Sequence, residues 1–166
     1  MCADAAVLTD YQIFSYEAND LSKGWEITAA YLWPKDMRAE IGGSDGHLAN
    51  AACLATDVCN YTQANDITNA SDNRQCGWIQ QGYQMRHSST ADFLGTAGGP
   101  PVPSAFILDP QTIVSTNLYL NFTSINDFTT NPDREWCYMV ILKPKKMNPS
   151  DSILQIIKST AQDVSN

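Results

Sequence analysis

Hydrophobic and polar positions alternate with a period of two along much of the chain, the spacing of strands with one buried face. In "GWEITAAYLW", Trp25, Ile27, Ala29, Tyr31 and Trp33 fall on one side and Glu26, Thr28, Ala30 and Leu32 on the other, with Pro34 as the stop. The aromatic stripe Trp25, Tyr31, Trp33 is expected in the core, with a sugar-binding platform as the sharper alternative. In "TIVSTNLYLNFT", Val114, Leu118, Leu120 and Phe122 share a face opposite Ser115, Asn117, Tyr119 and Asn121, predicting one long strand. "EWCYMVILK" is instead apolar without interruption from Trp136 to Leu142. That pattern belongs to a strand buried on both faces, or to one whose outer face lies in an interface. Shorter strands are expected over 11–16, 47–56, 76–86 and 104–108. "HLANAACLAT" also has helical propensity, but the turn-rich "IGGSDG" before it favours a strand.

The connections "DVCNYTQANDITNASDNRQ", "GTAGGPPVPS" and "TSINDFTTNPDR" are long and polar or rich in Gly and Pro. Loops of this length in a compact domain carry binding or assembly surfaces. Strands with such loops imply a β-sandwich or barrel with Greek-key connections. One segment predicts a helix. Pro144 breaks the last strand, Asn148 suits an N-cap, Pro149 the first helical position and Asp151 the first turn. Over 149–164, Ile153, Leu154, Ile156, Ile157, Ala161 and Val164 form one stripe, with Ser152, Gln155, Lys158 and Gln162 opposite. A helix of about four turns is not stable alone in water, so this stripe must dock on protein.

Charge changes the picture at one place. The 166 residues carry a formal net charge of -8, yet Lys143, Lys145 and Lys146 crowd into four positions. Residues 143–166 sum to +2 and the rest to -10. This balance excludes a nucleic-acid footprint spread over the whole surface but leaves a local basic contact. A solvated strand exit is the plain account of the three lysines. A contact with an acidic neighbouring subunit, or with nucleic acid, is the functional one.

Candidate chemistry is thin. No apolar run is long enough to span a membrane, and "MCADAAVLTD" has neither the basic nor the apolar region of a secretion signal. Five cysteines, Cys2, Cys53, Cys59, Cys76 and Cys137, lack zinc spacing and are expected as free, mostly buried thiols. A bridge from Cys53 or Cys59 to Cys76 is the alternative. His47 and His87 stand in no catalytic motif, and "HSS" at 87–89 is the one paper candidate for a nucleophile and base. The acid pairs Asp133 with Glu135 and Asp36 with Glu40 are expected as solvated loop charges. No catalytic residue, and so no enzyme, is expected. Calcium is kept as a candidate ligand of Asp45, Asp57, Asp66 and Asp72, although their spacing is not that of an EF-hand. Asn60, Asn69 and Asn121 fit the N-glycosylation pattern and are expected to be unmodified.

The runs "DNRQCGWIQQGYQMRHSSTADF", "FILDPQTIVSTNLYLNF" and "REWCYMVILKPKKMNPSDSILQIIKSTAQDV" resemble the second half of single jelly-roll capsid proteins of small non-enveloped viruses, most of all circular single-stranded DNA viruses. "WEITAAYLWPKD" and "GSDGHLANAACLAT" are similar to paired strands of the first half, so the resemblance covers roughly 11–164. It implies an all-β, antiparallel eight-stranded jelly-roll sandwich with a C-terminal amphipathic helix, one domain over 1–166, with 1–10 a flexible N-terminus. It further implies a virion structural protein that self-assembles into an icosahedral shell. The helix residues Ile153, Leu154, Ile156 and Ile157 are then candidate interface positions, and Lys143, Lys145 and Lys146 a candidate basic contact. Many such proteins neutralise packaged nucleic acid with an Arg-rich arm, whereas the first 22 residues here hold no Lys or Arg. The rival reading is a jelly-roll lectin or adhesin using Tyr61, Tyr83 or Phe128. A cupin-type enzyme would need more histidine than this chain has.

Overall fold

The computed structural model describes residues 7–16, 22–35, 46–63, 66–88, 91–96, 104–126, 136–148, 150, 152–154 and 157. Ten strands form among them: β1 (Val7–Ser15), β2 (Lys23–Pro34), β3 (Gly46–Ala55), β4 (Gln75–Ser88), β5 (Ala91–Thr96), β6 (Ser104–Ala105), β7 (Ile107–Leu108), β8 (Ile113–Val114), β9 (Asn117–Asn126) and β10 (Trp136–Lys146). They pair antiparallel into a six-stranded sheet ordered β1-β9-β3-β4-β5, with β7 also on β4, and a four-stranded sheet ordered β10-β2-β6, with β8 also on β2. The two sheets make a β-sandwich, as the period-two pattern implies.

Its core comes from alternate positions of both sheets. Ala30 and Leu32 of β2 meet Ala52 and Leu54 of β3, Cys76 and Ile79 of β4, and Leu118, Leu120 and Phe122 of β9, with Phe106 and Val114 between them. Aromatic rings extend the seam: Phe14 meets Trp25 at 5.6 Å and Phe122 meets Trp136 at 5.2 Å between centroids. "HLANAACLAT" is a strand up to Ala55: every residue of β3, Gly46 to Ala55, is paired with β4.

Four expectations give way to the structure. In β2 the stripe from Trp25 to Trp33 does not stay on one face. Leu142 pairs Ile27 and Ile141 pairs Ala29, so Thr28 is an extra residue without a ladder partner. This bulge flips the phase. Trp25 and Ile27 pack on the core, as do Ala30 and Leu32, while Ala29, Tyr31 and Trp33 turn outward. "TIVSTNLYLNFT" is two strands, because β8 pairs β2 in one sheet and β9 pairs β1 and β3 in the other. Pro144 does not end the last strand: β10 runs on to Lys146, with Pro144 opposite Trp25. Proline is tolerated there because β10 is an edge strand, whose second side needs no N–H from it. Finally, β1 opens at Val7, inside the stretch expected as a flexible terminus.

The closing helix is seen only in its first turns. Ser150, 152–154 and Ile157 are helical, and Ser152 N–H donates to the Asn148 carbonyl at 3.2 Å. Asn148 thus stands where an N-cap does. The remainder of 149–164, Ile156 included, lies outside the described residues.

Candidate assembly surface and basic strand end

The bulge in β2 decides what the four-stranded sheet shows to the outside. Cross-strand partners share a face. Ala29, Tyr31 and Trp33 therefore stand beside Ile141, Met139 and Cys137 of β10, with Ala105 of β6 opposite Tyr31. Ile141 and Met139 are each 46% exposed. A sheet face that looks on water is normally polar; this one is apolar and aromatic across three strands. The uninterrupted run in "EWCYMVILK" is thereby accounted for: Trp136, Val140 and Leu142 pack on the core, and Cys137, Met139 and Ile141 form the outer row.

β10 is also an edge. Among the described residues no strand pairs with its second side. Proteins blunt such edges with lysine, proline and short length. Here those devices sit in the last four residues, Lys143, Pro144, Lys145 and Lys146, leaving Trp136 to Leu142 as a long unblunted edge. Lys145 Nζ lies 3.9 Å from Glu26 Oε2, both side chains more than two-fifths exposed, a pair worth little stability in water. Lys143 is the cross-strand partner of Glu26, and Lys146 that of Lys23. The basic cluster is therefore the guarded end of an edge strand. Lys23, which sequence reading passed over, belongs to it because antiparallel pairing brings the start of β2 beside the end of β10.

The helix residues form a second apolar set. Ile153, Leu154 and Ile157 are 56%, 57% and 54% exposed, whereas Ser152 is buried. The stripe is expected to dock on protein; at these positions it faces outward and is not buried against the described residues.

No known protein family, curated protein or solved structure matches this chain. Its functional reading therefore stands on its own residues.

The long loop after β3 is ordered by a buried polar cluster. Arg74 Nε and Nη2 reach Asp72 Oδ1 and Oδ2 at 3.0 and 2.8 Å, with both side chains under 10% exposed. Tyr61 Oη donates to Asp72 Oδ2 at 2.6 Å, and Gln75 Nε2 donates to Tyr61 Oη at 2.7 Å and to the Asp66 carbonyl at 2.8 Å. Arg74 Nη1 holds the Val58 carbonyl at 3.1 Å. Asp10, in the left-handed region at φ 54°, accepts the Cys59 and Asn60 amides at 2.8 Å each and donates its own N–H to Asn121 Oδ1 at 2.7 Å. The loop is thus tied to β1 and β9 and covers the outer side of β3, where Cys53 and Asn121 are fully buried. Burial pushes the Asp72 carboxyl up, but hydrogen bonds from Arg74 and Tyr61 outweigh it and hold the group below the usual carboxylate range.

Two of the four calcium candidates are engaged through their carboxylates. Asp72 is clamped by Arg74 and Tyr61, and Asp57 caps the Val58 amide at 2.8 Å. Among the described residues no three His, Cys, Asp or Glu side chains gather as metal ligands; Asp45 lies outside them. Cys53, Cys59, Cys76 and Cys137 are free thiols, so the bridge to Cys76 does not form. Burial pushes the Cys59 thiol up to about 11, and Cys53 and Cys76 higher still, which leaves them inert at neutral pH. Asn121, buried under Asp10, has no room for a glycan. Tyr61, one of the lectin candidates, spends its hydroxyl on Asp72 and Gln75. Phe128, Ser89, Asp36, Glu40, Asp133 and Glu135, and the side chains of Tyr83, His47 and His87, lie outside what is described.

Proposed function

We propose that this protein is a structural subunit that self-assembles through its four-stranded sheet, a viral capsid protein of the jelly-roll kind forming a closed icosahedral shell. One observation carries the reading: the outer face of β2 and β10, with Ala29, Tyr31 and Trp33 beside Met139 and Ile141, is apolar and ends on an open strand edge. Exposed apolar faces of this sort mark protein contacts. A second copy is the occupant, because a shell repeats one contact many times and modest affinity per contact then suffices. Ile153, Leu154 and Ile157 offer a further contact outside the sheet.

Strand order supports the jelly roll. In that fold of eight strands the seventh lies between the second and fourth, and the eighth between the first and third. With β1 taken as the second strand, β9 lies between β1 and β3 as the seventh should, and β10 lies beside β2 as the eighth should. The short β6 and β8, both on β2, then stand for the sixth. The place of the first strand, beside β10, is not filled among the described residues. Filling that place from a neighbouring subunit would bury the unblunted edge Trp136 to Leu142 by strand addition. The lectin reading is less favoured, since its described loop aromatic, Tyr61, is engaged within its own loop.

Negative-stain electron microscopy of the purified protein tests the proposal. Uniform hollow particles are the expected result. A field of single small domains at high protein concentration, across salt and pH, would refute it.

A further inference from the structure

We propose that β10 pairs antiparallel with the β10 of a second copy about a two-fold axis at Met139, joining the four-stranded sheets of the two copies into one. The inference deepens the assembly reading and rests on it, because it names the segment that fills the open edge.

Exposure says that the cover is a strand. On the outer face Met139 and Ile141 are each 46% exposed. Tyr138 is the partner of the buried Leu32 and so lies on the core side, yet it is 40% exposed. It meets Tyr11 of β1 edge-on at 6.5 Å, and Tyr11 is 50% exposed. β1, like β10, stands at the end of its sheet. A body stacked on the outer face would cover Met139 and Ile141 and leave both tyrosines in water. A strand laid beside β10 covers part of each face and also takes up the N–H and C=O groups of the edge.

Composition says which strand. Two identical strands pair antiparallel about a two-fold axis that passes at one residue position, which keeps like faces together. The apolar run Trp136 to Leu142 has Met139 at its centre. About that centre Trp136 lies opposite Leu142 and Tyr138 opposite Val140 on the core side, with Cys137 opposite Ile141 on the outer side. Every apolar residue then meets an apolar one. The charges agree with this register. Asp133 and Glu135 precede the run in the sequence and Lys143 and Lys145 follow it, so Lys143 comes opposite Glu135 and Lys145 opposite Asp133 at each end. Opposite charges directly across a ladder are favourable. A slip of two residues either way keeps only one such pair at each end, and an odd slip sets core side chains beside outer ones. The contact of Lys145 with Glu26 at 3.9 Å is too long and too exposed to compete. Pro144 has no N–H to give and closes the ladder just past Lys143. The lysines that blunt the edge against other strands thus favour this one.

Disulfide trapping tests the pairing. Met139→Cys, made together with Cys137→Ser, sets the new thiol opposite its own copy across the axis, with Cβ atoms roughly 4.5–5.5 Å apart, near enough to bridge. Under mild oxidation it should give a linked dimer about tenfold faster than Ile107→Cys in the same background, a position 75% exposed on the other sheet. Cys137→Ser alone should give none. On the native background Ile141→Cys should link to Cys137 of the second copy. Sedimentation velocity on the same samples before oxidation separates the two readings. Oligomers that persist while neither variant links would overturn the pairing and leave the assembly reading standing, whereas a monomer that does not link would sink both. Peptide mapping that finds the introduced thiol joined to Cys2 would also overturn the pairing, since an N-terminal segment then holds the edge. Lys143→Glu with Lys145→Glu should abolish linking, and adding Asp133→Lys with Glu135→Lys should restore it. Linking that is not restored would overturn the register.

Discussion

Replacing Ile141 by Asp separates the outer sheet face from the core, and its two effects should be very unequal. In the isolated sandwich Ile141 is 46% exposed and faces away from the core opposite Ala29. Its loss there removes only part of a side chain's burial and some strand preference, under about 1 kcal/mol. At a subunit contact the balance is different. Covering the exposed half of an isoleucine is worth about 1 kcal/mol, and a carboxylate placed there without a partner adds about 2 kcal/mol or more of desolvation cost. The sum, about 3 kcal/mol per contact, is more than a hundredfold in affinity and is repeated at every equivalent contact. Urea unfolding followed by tryptophan fluorescence reads the first effect, and light scattering on the same sample reads the second. The expected variant is a folded monomer of near wild-type stability. A loss above about 2 kcal/mol in the urea experiment would show that Ile141 faces the core, and persistence of wild-type particles would show that this face is not the contact; either result refutes the reasoning.

Asp72→Ala should cost about 3 kcal/mol in urea unfolding, because it strands the buried Arg74 guanidinium with one remaining carbonyl partner; a cost below about 1 kcal/mol would mean that the cluster does not pin the loop. The same pair sets an acid limit. Asp72 titrates lower in the folded than in the unfolded chain, so its contribution is complete above the ordinary carboxylate value of about 3.9 and is lost as pH falls through the depressed folded value. An Asp72→Asn variant should accordingly show a flatter fall in stability below about pH 4 than the wild type. Asn50→Leu should stabilise the sandwich by about 1 kcal/mol, since the Asn50 amide is buried on the core side of β3 and neither polar atom has a hydrogen-bond partner among the described residues; destabilisation would reveal a partner for the amide.

Strand existence was plain in the sequence wherever alternation was strong. Leu118, Leu120 and Phe122 point into the core as their spacing says, whereas the apolar run from Trp136 to Leu142 is not buried on both faces, since Met139 and Ile141 are exposed; an interface over them is what the proposed assembly supplies. The face of Tyr31 and Trp33 was not legible, because one extra residue, Thr28, inverts the phase and nothing local marks it. Bulges are set by the partner strand, here the need to pair both Ile141 and Leu142. Pro144 misled for a related reason: proline stops a central strand but not an edge, and edge status is a property of topology. The lysine cluster was visible, but its neighbour Lys23 was not, since the two ends meet only through a pairing 123 positions apart. The Asp10–Asn121 and Asp72–Arg74 ties were equally hidden; polar residues on a strand or in a turn-rich loop look alike whether they face water or each other.

Sedimentation velocity of the wild-type protein over a range of concentrations tests the central claim most directly. The account predicts a fast-moving species many times the 18.3 kDa of one chain, converted to a single subunit by Ile141→Asp. A wild-type protein that sediments as one 18.3 kDa domain at every concentration would contradict it.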